Sequence, residues 1–430
     1  MFRTSKLLIA ALLALSTAAI AAAPAAAAPA VAGEFAIPNG VGSNNDIVQG
    51  PDGNMWVTTD IVNGVARITP DGVVTQFTLP NTSFGIESGP DGNLWVSTAI
   101  GVIKVPPANP AGFTTYTAGL AAGGRGIVTG PDGKLWVAGT NQLVSFSPAD
   151  PEGTDDSTTI AGLDPRGMSV GSDGLLWIAD NSGRVISATA AATPTVTPYD
   201  IQIAAAGGAQ DVAGGGPSGQ VAYAAPTTDP QTVGRITPGG TPLKTELTAS
   251  DPFGVVFAPD GAYWVARSQT NDLLRLTPDG QTTTLSGFAP SGGVGPRKIA
   301  TGPNNTLWVT LDTPDKVAKV TGVEPPPPPV TEPDTELGKT PKKKLKATDK
   351  KNGKKGKVKA TFSFSSTTAG VSFECSLQKK NKQPKFKPCT SPAKYKLKPG
   401  KYVFAVRAVL AGTPDPSPET FALKVARKKR

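Results

Sequence analysis

The stretch GPDGNLWV at residues 89–96 decides the fold, because variants of it recur along most of the chain. Close copies stand at 50–57, 130–137, 171–178, 216–223, 258–265 and 302–309. All tryptophans of the chain lie in these copies, at Trp56, Trp95, Trp136, Trp177, Trp264 and Trp308, and Ala222 takes the same place in the fifth copy. The spacing is about forty residues, a period that predicts stacked supersecondary units.

Each unit reads as four short antiparallel strands. In the first unit, DIVQG (46–50) and MWVTT (55–59) flank the turn PDGN, and GVARIT (64–69) and VVTQFTLP (73–80) flank a second turn, PDG. Proline and glycine at these turns supply the required backbone angles, so the Asp-Gly string is interpreted as a turn and the tryptophan as packing between units. Seven such units predict an all-β, seven-bladed β-propeller.

An incomplete copy at the N-terminus predicts how the propeller closes. GEFAIPNG at 33–40 matches TQFTLPNT at 75–82, which is an outer strand, and nothing in the sequence before it resembles the inner strands. The last unit ends at VAKVTGV (317–323) and lacks an outer strand of its own. We therefore expect the N-terminal strand to complete the last blade, which removes the exposed sheet edges.

Composition divides the rest of the chain. Residues 1–30 combine a basic start, an apolar run and A-x-A sites, which predicts a signal peptide and a secreted or envelope-associated protein. The propeller is predicted over 31–323, a Pro/Lys-rich linker over 324–355, and an immunoglobulin-like β-sandwich over 356–430 with one disulfide, Cys375–Cys389. Residues 1–334 carry a net charge of −12 and residues 335–430 a net charge of +21. We expect a monomer without a transmembrane segment.

The repeats GPDGNLWV, NGVARITPDG and QFTLP resemble those of the streptogramin B lyases (virginiamycin B lyase-like proteins). The resemblance implies a seven-bladed propeller, and an elimination reaction that opens a cyclic depsipeptide with Mg²⁺, a histidine and a glutamate. This chain contains no histidine. Family repeats often read W-F-T-E, with a glutamate three residues after the tryptophan. In this chain the corresponding position holds a carboxylate in one repeat, at Asp180. The seven residues at this position are Thr59, Thr98, Gly139, Asp180, Ala225, Arg267 and Leu311. An elimination needs a base with a near-neutral pKa, so we carry over the fold and no catalytic residue.

The positions eleven residues before each tryptophan slot, called the mouth positions below, form the candidate binding site. They begin the inner strands and should surround the mouth of the central channel. Arginine and phenylalanine dominate them, which favours a small anionic or aromatic ligand; the alternative is that each arginine pairs with a carboxylate or lies solvated. The residues are Asn45, Phe84, Arg125, Arg166, Asp211 (or Gln210, if this glycine-rich segment shifts by one residue), Phe253 and Arg297.

Two Asp/Asn pairs, Asp180–Asn181 and Asn271–Asp272, lie in loops on the same predicted face and could bind Mg²⁺ or Ca²⁺; they could equally be turn residues. The lysine-rich segment at 342–359 is nearly free of aromatic residues, which argues against nucleic acid and leaves an anionic wall polymer, lipid headgroups, an extracellular protein or a plain solvated linker without a partner. We expect a binding or interaction module; the alternative is a divergent, metal-assisted lyase or hydrolase that uses carboxylates.

Overall fold

The computed structural model describes residues 28–40, 42, 46–59, 63–117, 124–152, 156–201, 208–226, 231–247, 250–288, 295–312, 315–325, 333–349, 356–410 and 412–428. The predicted signal peptide, apart from its last three residues, lies outside these ranges, as do Asn45 and much of the predicted linker. Backbone contacts divide the chain into one compact unit at Ala25–Pro326 and a second whose described part falls within Pro327–Arg430.

The first unit contains seven four-stranded antiparallel sheets within the described residues, and an all-β propeller is thereby confirmed. Its short helices are Pro110–Gly112 and Pro217–Gly219, both 3₁₀. The strands are β1 Ala30–Ala36, β2 Ile47–Gln49, β3 Met55–Thr59, β4 Gly64–Ile68, β5 Val74–Thr78, β6 Ser83–Ser88, β7 Leu94–Thr98, β8 Val102–Val105, β9 Thr114–Tyr116, β10 Gly126–Thr129, β11 Leu135–Gly139, β12 Gln142–Phe146, β13 Asp156–Thr159, β14 Pro165–Val170, β15 Leu175–Asp180, β16 Arg184–Thr189, β17 Val196–Asp200, β18 Asp211–Ala213, β19 Val221–Ala225, β20 Gln231–Ile236, β21 Leu243–Leu247, β22 Pro252–Phe257, β23 Tyr263–Arg267, β24 Asp272–Leu276, β25 Thr282–Leu285, β26 Pro296–Gly302, β27 Thr306–Leu311 and β28 Lys316–Thr321.

The sheets follow one another around a closed ring. The first strand of each blade contacts the first strand of the next, in the order β2, β6, β10, β14, β18, β22, β26 and back to β2. The N-terminal strand β1 pairs with β28 as the fourth strand of the last blade, with Glu34 opposite Ala318. The predicted closure is therefore present, and it leaves no blade with an incomplete sheet.

The repeated string packs its tryptophan under its own turn. The Trp56 indole N–H donates a 3.0 Å hydrogen bond to Asp52 Oδ1, and the indole is fully buried. Gly50 makes room for it, since a Cβ on Gly50 would lie 2.5 Å from the indole ring. The aspartate thus has a second structural role, as the acceptor for a buried indole donor that would otherwise be unsatisfied.

The second unit is also built from strands. Its strands are β29 Glu336–Leu337, β30 Lys344–Thr348, β31 Val358–Phe362, β32 Phe364–Ser365, β33 Ser372–Lys379, β34 Lys387–Cys389, β35 Ala393–Leu397, β36 Gly400–Leu410, β37 Thr413–Pro414 and β38 Glu419–Lys428. The main sheet has the order β30-β38-β36-β33-β34, and β31 pairs with β35. Phe362 and Phe404 stack in its core with ring centroids 4.0 Å apart.

The predicted disulfide is present. Cys375 of β33 is bonded to Cys389 of the neighbouring strand β34, and their Cα atoms lie 5.7 Å apart. The likeness of this unit to an immunoglobulin domain stays a prediction.

Candidate functional site

One cavity of ≈ 210 Å³ lies where the inner strands of the propeller begin. It is lined by the described mouth positions predicted from the repeat together with residues beside them. The lining residues are Asp46, Phe84, Arg125, Gly126, Ile127, Arg166, Gly167, Met168, Gln210, Asp211, Phe253, Arg297 and Lys298. Residues 213 positions apart in the sequence, such as Phe84 and Arg297, are thereby brought to the same cavity.

Strand register corrects one of the predicted positions. In the first blade Val48 lies opposite Trp56, and in the fifth blade Ala213 lies opposite Ala222. Counting back from these pairs assigns the mouth position of the fifth blade to Gln210. Asp211 lies one residue deeper, although it still lines the cavity. The shift arises because a glycine-rich segment precedes this strand and alanine replaces the tryptophan that marks the register elsewhere.

The arginines at the mouth positions are held in place by aromatic rings and carboxylates. The Arg297 guanidinium lies 3.8 Å from the centroid of the Phe253 ring, and its Nη1 lies 3.0 Å from Asp312 Oδ2. In the same way the Arg125 guanidinium lies 5.1 Å from the Phe84 centroid. These contacts fix the guanidinium planes, since a cation over a ring face is attracted by the ring's quadrupole.

Two arginines at the mouth, Arg166 and Arg297, form ion pairs with carboxylates. Arg166 Nη2 lies 3.1 Å from Asp164 Oδ2, and Arg297 Nη1 lies 3.0 Å from Asp312 Oδ2. The buried Nε of Arg166 has no acceptor among the described residues. Because a guanidinium has five N–H donors, both side chains keep donors for a ligand after forming their ion pairs. The alternative given above, that the arginines pair with carboxylates, is therefore observed for Arg166 and Arg297. Their ion pairs do not use all of their N–H donors.

Two of the guanidinium groups interact with each other. Burial, and next the positive charge of Arg166, lower the pKa of Arg125, while Asp164 opposes that effect. Like charges drawn together in a partly buried cavity raise the electrostatic potential there. An anion placed between them would be attracted by both.

Three charged residues lie one step deeper, and sequence reasoning missed two of them, Asp46 and Lys298. Lys298 Nζ lies 3.2 Å from Asp211 Oδ2. Burial lowers the pKa of Lys298, but the carboxylates of Asp211 and Asp46 outweigh it and the net pKa is raised. Burial raises the pKa of Asp46 to about 6, against the opposing charge of Lys298. The sequence signal was present, because Asp46 and Lys298 directly follow two of the mouth positions.

Glu87 lies further along the channel and was also missed. It lines a second cavity of ≈ 380 Å³ that includes Asp46 and Asp211. Burial raises the pKa of Glu87 to about 7, although its Oε1 accepts a 3.1 Å hydrogen bond from the backbone N–H of Thr129. A carboxyl group with a near-neutral pKa is able to exchange a proton at physiological pH.

The predicted metal ligands do not form a metal site, which corrects that expectation. Asp180 is fully buried and lies 2.6 Å from the guanidinium of Arg184, and its oxygens also accept bonds from Ser182. The amide oxygen of Asn181 accepts a 3.0 Å bond from Gln210. These oxygens are thus engaged by donors of the protein, and a cation would have to compete with those donors for them.

The second predicted pair is engaged in the same way. Both carboxylate oxygens of Asp272 bind Arg267, at 2.7 and 2.8 Å. Asn271 has a φ of 54° and serves as a turn residue. Across the described ranges, no group of three or more Asp, Glu, His or Cys residues is placed to hold a metal ion. The magnesium implied by the family resemblance therefore finds no matching ligand set in these residues.

Comparison with known proteins supports the resemblance inferred from the repeats. A sequence profile of the Virginiamycin B lyase family matches residues 154–324. A streptogramin B lyase structure is similar with 20% identity and a TM-score of 0.58, over 67% of this chain and 96% of that one. A catalytically inactive histidine-to-alanine variant of virginiamycin B lyase from Staphylococcus aureus with quinupristin is similar with 20% identity and a TM-score of 0.57, over 67% of this chain and 98% of that one.

A further structural neighbour is an extracellular domain of a bacterial protein. It is the extracellular domain of a putative one-component system of B. thetaiotaomicron, with 13% identity and a TM-score of 0.52, over 91% of this chain and 58% of that one. A search of curated proteins gave no significant match. No helix in the described part of the chain is long and apolar enough to cross a membrane. At these identities the structural matches establish the fold alone.

Proposed function

We propose that this chain is a secreted binding module whose propeller holds a small anion at the mouth of its channel. The observation that supports the proposal is the convergence of three guanidinium groups, Arg125, Arg166 and Arg297, on one cavity of ≈ 210 Å³. Guanidinium groups bind carboxylate and phosphate through paired N–H donors, and they bind more strongly where water is excluded.

The geometry favours an anionic ligand over an aromatic one. Arg125 and Arg297 each lie against a phenylalanine of the mouth, so one face of each ring is occupied by the protein's own cation. A ligand ring that stacks on those faces would have to displace these guanidinium groups. A carboxylate or phosphate can instead bind the remaining N–H donors without disturbing them.

Secretion is supported by two observations of different kinds. The N-terminal thirty residues have the pattern of a signal peptide. One structural neighbour is the extracellular domain of a putative one-component system of B. thetaiotaomicron. We therefore assign the binding module to the outside of the cell or to the cell envelope.

The binding proposal is tested by thermal unfolding of the full chain with and without citrate, a compact anion with several carboxylates. A ligand at about 100 times its Kd stabilises a protein by roughly 2.7 kcal/mol, which should raise Tm by several degrees in the wild type. The gain should disappear in the Arg125→Gln/Arg166→Gln/Arg297→Gln variant.

The matched control replaces three arginines of third strands in other blades, Arg67, Arg235 and Arg275, which lie outside the cavity. This control should keep the citrate effect. The absence of any stabilisation by citrate, phosphate or sulfate in the wild type would refute the proposal.

A second candidate function, a divergent lyase or hydrolase that uses carboxylates, is favoured by Asp46, a cavity-lining carboxyl with a pKa of about 6. Asp46 would act as the base, and the arginines would stabilise a developing negative charge. Incubation with quinupristin, with and without Mg²⁺, tests it directly. Ring opening that is abolished by Asp46→Asn would establish this candidate, and an unchanged substrate would eliminate it.

A further inference from the structure

We infer that the basic C-terminal unit presents a binding face for a linear acidic polysaccharide, independent of the propeller cavity. The face is a row of four lysines that crosses the main sheet from strand to strand. Lys344 of β30 lies opposite Lys424 of β38, and Lys424 lies opposite Lys401 of β36. Lys380 continues the row, since its backbone N–H donates to the carbonyl of Lys401. We call these four residues the lysine row.

The lysine row points away from the core. All four side chains are exposed, while the alternate residues Leu423 and Val425 of β38 are buried in the hydrophobic core. Directly opposed residues on neighbouring strands project from the same face and lie about 5 Å apart. The sheet therefore carries four positive charges in a line on one surface.

Such a row costs stability in the isolated protein, because like charges directly opposite each other repel. Among the described residues, none of these lysines forms an ion pair with a carboxylate. An ion pair does form on the same face of strands β33 and β36. Arg407 of β36, six residues after Lys401, lies 2.7 Å from Glu374 of β33, six residues before Lys380. The sheet thus provides a carboxylate beside Arg407 and none beside the lysine row, within the described residues. This arrangement is expected where a partner supplies the negative charge.

The surroundings of the row favour a hydrophilic polymer over a membrane or a nucleic acid. The large exposed apolar side chains of the described chain, Val73, Ile100 and Leu243, all lie in the propeller. The described residues of the C-terminal unit thus offer no large exposed apolar side chain to insert between lipids. They equally offer no exposed aromatic platform on which bases would stack. A chain of carboxylated sugars needs neither, because its charges repeat along a flexible hydrophilic backbone.

The test measures binding of the full chain to polygalacturonate at low salt, by the retardation of the polymer in gel electrophoresis. The test variant is Lys344→Gln/Lys401→Gln/Lys424→Gln. A lysine beside a dense anionic surface contributes roughly a factor of five to binding, so the variant should bind on the order of a hundredfold more weakly.

A matched control removes the same charge from exposed lysines that lie outside the row, as Lys339→Gln/Lys394→Gln/Lys396→Gln. The inference predicts that this control binds within a few-fold of the wild type. Equal weakening in both variants would show a net-charge effect and would overturn the site. Binding to phosphatidylserine vesicles without binding to polygalacturonate would overturn the polymer in favour of a membrane. Citrate stabilisation of the propeller should be unchanged in both variants, which separates this inference from the proposed function.

Discussion

Replacement of Glu87 by glutamine should make the propeller more stable at alkaline pH and leave it unchanged at acidic pH. Burial raises the pKa of Glu87 from its ordinary value of 4.5 to about 7. A carboxyl whose pKa is higher in the folded state contributes stability while it is protonated, and that contribution is lost as the pH rises through the folded pKa. Glutamine resembles the protonated form and does not ionise.

The size of the effect follows from the pKa. A rise from 4.5 to about 7 corresponds to about 3 kcal/mol lost on full ionisation. Glu87 is half-buried and lines a cavity of the channel, so solvent screens part of that cost. We therefore expect Glu87→Gln to be about 2 kcal/mol more stable than the wild type at pH 8 and equal to it at pH 4.5. The hydrogen bond from the Thr129 N–H is retained, since a glutamine oxygen also accepts it.

The assay is urea unfolding between pH 4.5 and 8, followed by tryptophan fluorescence. This signal reports on the propeller alone, because every tryptophan of the chain lies in it. Asp46 remains in the variant and has a pKa of about 6, so both proteins should still lose some stability with rising pH. The difference between them measures Glu87 together with its electrostatic coupling to Asp46. An exposed glutamate, Glu152, provides the control substitution. A difference between variant and wild type that stays constant across the pH range would refute the reasoning.

Three further predictions concern the parts that hold the fold together. Asp132→Ala should destabilise the propeller by about 1 kcal/mol more than Asp173→Ala in urea unfolding. Both aspartates accept a backbone N–H in their turn, but only Asp132 also accepts the indole N–H of its tryptophan, Trp136, at 3.1 Å; equal losses would contradict this. Serine at both cysteines should cost the C-terminal unit roughly 3 kcal/mol, given a 14-residue separation, measured by circular dichroism in urea. Deletion of 30–36 should expose the edge of β28 and cause oligomers in size-exclusion chromatography, whereas a stable monomer would show that closure is dispensable.

The fold was predictable because each copy of the repeat indicates the register of its own strands. Each copy places a turn and a tryptophan at a fixed offset from the inner strand, so counting eleven residues back located Phe84, Arg125, Arg166, Phe253 and Arg297, all of which line one cavity. Among the described mouth positions, the count differed from the strand register by one residue in the fifth blade. There the tryptophan is absent and the strand β18 has three residues, so nothing local fixes where it begins.

The predicted metal pairs failed for a reason that can be read in the sequence. Asp180 lies opposite Arg184 across the hairpin between β15 and β16, and Arg267 lies opposite Asp272 across the hairpin between β23 and β24. An acidic residue four or five positions from an arginine, across a predicted hairpin, has a local partner available. The loop composition alone could not show this, because aspartate and asparagine are frequent in turns whether or not they bind metal.

The deep charges could not be predicted, because they depend on which blades face each other across the channel. Asp46 belongs to the first blade, Asp211 to the fifth and Lys298 to the seventh, and the charges of the other two residues act on the pKa of Asp46 and on the pKa of Lys298. No local pattern brings these residues together. Closure of the ring does so, and closure requires the N-terminal strand to pair with a strand almost three hundred residues away.

The confinement of the arginine side chains at the mouth distinguishes a binding cavity from a ring of arginines that are merely solvated. A flexible surface arginine loses side-chain entropy when it binds an anion, and that loss offsets much of the attraction. Arg297 is confined before any ligand arrives, by Phe253 on one side and Asp312 at one nitrogen, and Arg166 is confined by Asp164. The carboxylates of Asp312 and Asp164 therefore also orient the remaining N–H donors of these arginines. Neutralising Asp312 would raise the positive charge of the mouth but release the guanidinium, so a weaker response to citrate in Asp312→Asn would show that orientation matters more than net charge.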